Sequence, residues 1–422
     1  MLLLLGSVFA LVSPNPAHAS DWFVATDGDN KAAGSLEKPF ATVQRAQESI
    51  APGDTVFIRG GTYRMTNAHL SSTQGIFSRI TVLDKSGVAG KPITYRAYQQ
   101  EKPIFDCTQV NPGEARLTAF LIKGSWLHLQ GLEVTGVQVT LQSHGQSICF
   151  ESQGSHNIFE RLSMHDGQAI GLYHVRGADN LFLNCDAWNN WDYTSEDGKG
   201  GNVDGFGCHP TKGSTGNVFR GCRAWFNSDD GYDLIGSYES VTLENCWALY
   251  NGYTPDFKSL ADGNGLKAGG YGSRPADRLP KIIPRHLIRF CVAVRNKNSG
   301  FYANHHPGGN DWTNNTASRN GANFNLLGRL LDNVTDVDGT GHKLMNNLSY
   351  GTQKALARID AAKCELTNNS FTLDLTLTED DFVSVNEAEL LAPRQPNGDL
   401  PVVGFLRPRK DSVFEDIGAF KP

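Results

Sequence analysis

From residue 157 onward, short apolar and polar stretches alternate in a unit that recurs along the chain, and the recurrence carries the first structural information. Segments starting at Asn157, Asn180, Asn217, Val241, His286, Asn310, His342 and Cys364 align, with successive starts separated by 23, 37, 24, 45, 24, 32 and 22 residues. The short spacings define a unit and the long ones the same unit carrying an inserted loop, which is how a solenoid behaves. Two residues after each start stand Phe159, Phe182, Phe219, Leu243, Ile288, Trp312, Leu344 and Leu366, an apolar column that predicts a continuous core. Five after come Leu162, then Cys185, Cys222, Cys246 and Cys291, then Asn315, Asn347 and Asn369. Seven after come small residues such as Ala187, Ala224, Ala248, Ala293 and Ala317, and ten after come Asn190, Asn227, Asn251, Asn296 and Asn320.

No 3.6-residue stripe persists, and the short runs are punctuated by glycine and asparagine, so the pattern predicts an all-β parallel β-helix. Neighbouring coils then lie about 4.8 Å apart. The asparagine column becomes a ladder of side-chain amides at a tight bend, where asparagine tolerates left-handed backbone. The four aligned cysteines read as stacked interior thiols, small buried hydrophobes in place of a disulfide framework.

Ahead of the repeat, DWFVAT, ATVQRAQESI and PGDTVFIRGGTYR predict strand, short helix and strand. The amphipathic helix, from Pro39 to Ile50 within a cap at about 36–50, is expected to plug the open end of the core. The β-helix domain is expected over 20–375, and a tail over 376–422 is expected to pack along the outside or cover the far end. Residues 1–19 predict an export signal, because Leu2 to Val12 is almost wholly apolar and Ala17-His18-Ala19 supplies the small-x-small cleavage pattern.

The net charge of −6 offers no global basic field for a nucleic acid, and no later run is long and apolar enough to cross a bilayer. The expectation is an exported soluble monomer, periplasmic or extracellular, that grips any anionic polymer with local cations.

Candidate chemistry follows from a glycine column, Gly171, Gly205, Gly231, Gly265 and Gly300. Aligned on it, Asp204, Asp230, Asn264 and Ser299 share one position, and Gly207, Asp233, Lys267 and Tyr302 share another. Asp233 and Lys267 should therefore stack one coil apart on one face. Asp204, Asp229, Asp230 and Asp233 gather in two neighbouring coils and need a counter-charge; oxygen ligands from adjacent turns suit calcium, whereas zinc would want nitrogen or sulfur. Turn chemistry and a purely structural calcium also account for the acids, but neither accounts for a lysine one rung away.

GDTVFIRGGTYR, NSDDGYDL (Asn227 to Leu234) and DGNGLKAGG (Asp262 to Gly270) together resemble the family-nine pectate lyases among the polysaccharide lyases, over most of the chain from about Asp21. The resemblance implies a right-handed parallel β-helix, exported, that cleaves polygalacturonate by calcium-dependent β-elimination. Position by position it makes Asp204, Asp229, Asp230 and Asp233 calcium ligands and Lys267 the base, with no departure at those five positions. Arg274, Arg278 and Arg285, with Lys199, Lys212 and Lys281, stand in or near inserts expected to wall the cleft and to meet substrate carboxylates. Trp191, Tyr193, Tyr253 and Tyr271 are candidates for stacking on sugars.

Two rivals share the fold. An inverting glycoside hydrolase would use paired aspartates, but Asp229 and Asp230 are adjacent strand residues facing opposite ways, and the Gly-His-Gly and Arg-x-Lys segments of polygalacturonases are missing. A non-catalytic carbohydrate-binding solenoid leaves Lys267 without a role.

Overall fold

The computed structural model describes residues 19–374, 376–410 and 412–421. The expected export signal falls almost wholly outside them. Three sheets run the length of a right-handed parallel β-helix: a 12-stranded sheet from Asp21–Val24 to Glu365–Thr367, a 10-stranded sheet from Gly61–Thr66 to Leu348–Tyr350, and an 11-stranded sheet from Ser72–Gln74 to Leu356–Ala357. All strand pairings within these sheets are parallel except that of Ser72–Gln74 with Phe77–Leu83 at one edge.

Each coil contributes one strand to each sheet because the apolar residues recur at the same offsets. In the first sheet Phe159, Phe182 and Phe219 stack at centroid distances of 5.0 and 4.2 Å. In the third sheet Phe206 and Tyr232 stack at 5.0 Å and continue through Leu266 to Phe301. Cys185, Cys222, Cys246 and Cys291 are fully buried, and all eight cysteines are free thiols.

The asparagine ladder forms. Nδ2 of Asn190, Asn227, Asn251 and Asn296 donates to Oδ1 of Asn227, Asn251, Asn296 and Asn320 at 3.0, 3.1, 2.9 and 3.0 Å. The backbone of the bend differs from the expectation. Left-handed residues precede the ladder asparagines and include Phe226, Tyr250 and Arg295, while the asparagines themselves are not left-handed. Coil-to-coil stacking, such as Phe226 on Tyr250 at 4.9 Å, accompanies a conformation that local preference disfavours, so the asparagines serve as hydrogen-bonding rungs.

The cap helix is shorter than expected, Val43–Ser49, because Phe40 is held in a bridge to Val24 and the Thr42 hydroxyl accepts from Arg45 N as N-cap at 3.1 Å. It buries Val43 and Ala46 over the end of the core. The C-terminal segment lies on the outside of the second sheet, where Phe382, Leu390, Phe405 and Phe414 cover Trp247, Leu249, Val292 and Val294. Asp186 ties it down: Arg223 donates to this buried carboxylate at 3.0 and 2.9 Å, and Arg394 at 3.0 and 2.6 Å.

Candidate active site

Strand alternation decides what reaches the surface of the third sheet. Tyr232 and Leu266 turn inward into the stacked core, so their neighbours Asp233 and Lys267 turn outward, paired in register with Gly207 before them and Tyr302 after. The glycine column sets this frame by close approach. A Cβ on Gly231 would lie 2.7 Å from the Gly265 carbonyl oxygen, and one on Gly205 only 2.6 Å from the Ala224 Cβ.

Just before these glycines, Asp204, Asp230 and Asn264 form a second ladder. Oδ1 of Asp204 accepts from Asp230 N at 3.1 Å, Oδ1 of Asp230 from Asn264 N and Nδ2 at 2.7 and 2.9 Å, and Oδ1 of Asn264 from Ser299 N at 3.1 Å. One carboxylate oxygen of each rung aspartate is thus occupied by backbone. The carboxylates of Asp204, Asp230 and Asp233 each place an oxygen within 4.8 Å of the others, and all three residues are buried. Asp233 Oδ1 accepts from Ile235 N at 2.7 Å, and its Oδ2 accepts from Lys267 Nζ at 3.1 Å. Nζ also lies 2.9 Å from Asp230 Oδ2, an ion pair without hydrogen-bond alignment that leaves this buried oxygen unsatisfied. Asp229, buried beside them, stands outside the trio, its Oδ1 accepting from Asp262 N at 3.2 Å.

Four carboxylates face one ammonium. Burial first, then repulsion from Asp233 and Asp230, holds Asp204 well above the usual carboxylate range; burial and the charges of Asp230 and Asp204 do the same to Asp229. Burial alone would depress Lys267, but attraction to Asp230, Asp233, Asp229 and Asp204 outweighs it and raises its pKa. An all-oxygen donor set, an excess of negative charge and an unsatisfied buried carboxylate oxygen fit a hard divalent cation.

The candidate cations separate. Arg274 packs over the Tyr238 ring at 5.5 Å and donates to Gly236 O at 3.0 Å, in the turn that follows Asp233. Arg278 is exposed on the one-turn helix Ala276–Arg278, and Arg285 is taken up by Asp311 at 2.6 Å and Gly341 O at 2.8 Å. Among the candidate aromatics, Tyr271 is buried with its hydroxyl on Ser237 O, whereas Tyr193 is exposed. Tyr173 and its hydrogen-bond partner His209, absent from the residues singled out above, also belong beside this column; extending the Gly207–Asp233–Lys267 column one coil back from Gly171 points to Tyr173.

A parallel β-helix bearing a buried aspartate trio beside a lysine, with Asp233 and Lys267 paired on one outward column, is the architecture of a polysaccharide lyase of the pectate-lyase class. The family described as Pel9A-like, right-handed β-helix region matches residues 22–347, and the chain belongs to it, in agreement with the resemblance carried by its motifs. A second match, to a rhamnogalacturonan lyase-like C-terminal family, covers residues 360–420. Pectate lyase L of Dickeya dadantii is 30% identical over 94% of this chain and 85% of its own. Two solved structures are similar: a rhamnogalacturonan lyase, 43% identical with a TM-score of 0.89 over 95% of this chain and 100% of that one, and pectate lyase Pel9A, 27% identical with a TM-score of 0.75 over 96% and 97%.

Proposed function

We propose that the chain cleaves the galacturonate-containing backbone of pectin by β-elimination, with Lys267 as the base and Asp204, Asp229, Asp230 and Asp233 as holders of calcium. The observation that carries this is the ammonium of Lys267 within 3.1 Å of two carboxylates from the preceding coil, on the outward face of the third sheet. The proton on C5 of a galacturonate is weakly acidic, because the C6 carboxylate poorly stabilises the carbanion left behind. Calcium held at the aspartates would supply charge neutralisation at that carboxylate.

Lys267 must accept the C5 proton as the C4–O bond breaks, and so must first be neutral. The aspartates that keep it charged are the same groups proposed to bind the cation. Engaged as ligands, they would hold the ammonium less strongly, which would favour its neutral form. Oδ1 of Asp230 stays anchored to Asn264, so its other oxygen keeps its direction through this exchange. Arg274, beside the turn after Asp233, is placed to meet a neighbouring substrate carboxylate, with Arg278 and Arg285 as outer candidates.

Polygalacturonate is the substrate favoured by the likeness to pectate lyase L and to pectate lyase Pel9A. A second reading, a rhamnogalacturonan backbone, is favoured by the 43% identity to a rhamnogalacturonan lyase and by the match over residues 360–420. Both polymers present the same C5 proton. The apolar segment before Ser20 supports export, and no helix among the described residues is long and apolar enough to cross a membrane. We place the enzyme as a monomer in the periplasm or outside the cell.

The test incubates the purified protein with each polymer, with calcium or with chelator, and follows the ultraviolet absorbance of the conjugated double bond that only elimination creates. Calcium-dependent unsaturated product, lost in Lys267→Ala, is expected. A Lys267→Ala variant that binds calcium and still releases unsaturated oligosaccharides would refute the lysine's role.

A further inference from the structure

The outward column that holds Asp233 and Lys267 extends beyond them. Towards the N-terminus it reads Gly207, Tyr173 and Glu151, each paired in register with the next. Tyr173 is two rungs from Asp233 and three from Lys267, about 14 Å from the lysine along the axis at ordinary strand spacing. Nothing but a glycine intervenes at that register.

The ring uses the gap. A Cβ at Gly207 would lie 2.5 Å from Cδ2 and 2.9 Å from Cε2 of Tyr173, so the phenol leans into the place a side chain at 207 would occupy, towards the acidic cluster. Its hydroxyl is hydrogen bonded to His209 Nδ1 at 2.8 Å, and the imidazole meets the ring edge-on at a centroid distance of 4.9 Å and 80°. Among the described residues no other aromatic ring packs on Tyr173, and the residue stays partly exposed. Stacked aromatic rings elsewhere on this molecule, such as Trp188 on Trp225 at 4.9 Å, spend their faces on each other. Tyr173 is pinned by its polar tip and braced along one edge by a different kind of contact, which holds a partly exposed aromatic surface still on the outward column.

We propose that Tyr173, held by His209, is a sugar-binding residue of the subsite on the N-terminal side of the reacting galacturonate, and that it contacts the C–H face of a backbone pyranose. The proposal rests on the lyase reading for its axis and polarity. Arg274 donates to the turn after Asp233, two coils from Tyr173, so a pyranose on Tyr173 and a carboxylate near Arg274 would belong to different sugar residues of one bound chain. Because the hydroxyl is already bonded to His209, it is the ring that recognises the sugar, and Tyr173→Phe should preserve most of the contact.

The test uses pectic oligosaccharides of defined, increasing length, from both polygalacturonate and rhamnogalacturonan. Tyr173→Leu, which fills the volume without a ring, and Tyr173→Ala should raise KM about 3- to 10-fold for long oligosaccharides with kcat within about twofold, an effect on the scale of one aromatic contact. The shortest oligosaccharide that is cleaved should be unaffected, because it does not extend to that rung; Tyr173→Phe should stay near wild type. Equal losses on short and long oligosaccharides, or no KM change on long ones, would overturn the proposal. Calorimetric titration of the same oligosaccharides into Lys267→Ala, with and without Tyr173→Leu, makes the test independent of turnover. Loss of binding there supports Tyr173 even if the lyase reading fails, and unchanged binding counts against Tyr173 even if that reading holds.

Discussion

Asn251 sits in the middle of the interior ladder, fully buried, and its replacement by alanine gives a sharp test of how the coils are joined. Its Oδ1 accepts from Asn227 N and Nδ2 at 3.2 and 3.1 Å, and its Nδ2 donates to Asn296 Oδ1 at 2.9 Å and Ala224 O at 3.2 Å. Truncation removes four bonds. Asn227 Nδ2 keeps the Ala187 carbonyl at 3.1 Å, and Asn296 Oδ1 keeps Asn251 N at 3.1 Å, whereas Asn227 N loses the partner it has. One orphaned buried N–H costs about 1–3 kcal/mol and each of the other three bonds about 0.5–1.5, a total of about 2.5–7.5 kcal/mol. Asn251→Asp should be at least as damaging, because it puts a charge where a donor is needed. In a solenoid the loss falls on the coupling between two neighbouring coils. Urea unfolding followed by amide exchange should show faster exchange centred on the coils of Asn227, Asn251 and Asn296, with the N-terminal coils near Leu129 close to wild type. A midpoint unchanged from wild type, or exchange raised uniformly from end to end, would refute the reasoning.

Three further outcomes follow from the structure. Asn264→Ala removes the amide that fixes Asp230 and should lower kcat/KM about 10- to 100-fold with a raised calcium requirement, read from activity against calcium concentration. Asp186→Ala strands Arg223 and Arg394 beside the C-terminal segment, a break that costs about 3–5 kcal/mol; limited proteolysis should cut within 376–421 much faster while the groove keeps its activity. Burial depresses His174 and His306 to about 4 and His342 to about 3, with His286 also well below its ordinary value. The unfolded chain takes up these protons below about pH 6.5 while the folded chain resists, so stability should fall as pH drops from about 6.5 towards 4, by up to about 1.4 kcal/mol per pH unit for each histidine. His342→Asn should flatten that slope in urea midpoints, since His342 Nδ1 accepts from Asn310 N at 2.9 Å, as the Oδ1 of Asn180, Asn217 and Asn310 accepts from backbone N–H in the same column.

Offsets that repeat were legible in the chain, because a column needs only counting. The phenylalanines at 159, 182 and 219, the cysteines from 185 to 291, the asparagine rungs and the Asp233–Lys267 pairing all fall at predicted registers. What occurs once was not legible. Asp229 lies in the bend before the strand Tyr232–Asp233, and that its Oδ1 accepts from Asp262 N in the next coil has no sign in the sequence. The helix start at Val43 depends on the bridge from Phe40 to Val24, a tertiary contact with no local sign. Arg285 stands among other loop cations in sequence, yet Asp311 claims it. Tyr173 was within reach of the glycine alignment, but its support by His209 required coordinates.

The inserted loops have a consequence for how such a molecule can be altered. From residue 157 onward coil lengths vary between 22 and 45 residues while the columns keep their registers, so additions there are absorbed at the corners. Removing one residue between Gly265 and Lys267 would swing the amine into the core, since facing alternates residue by residue. Splicing a whole extra coil between Asp233 and Lys267 would leave every side chain facing as before, yet move the amine off its acids by about another 4.8 Å. The scaffold is thus indifferent to large edits and intolerant of small ones, and a graft of an entire turn is the way to ask what separation the chemistry permits.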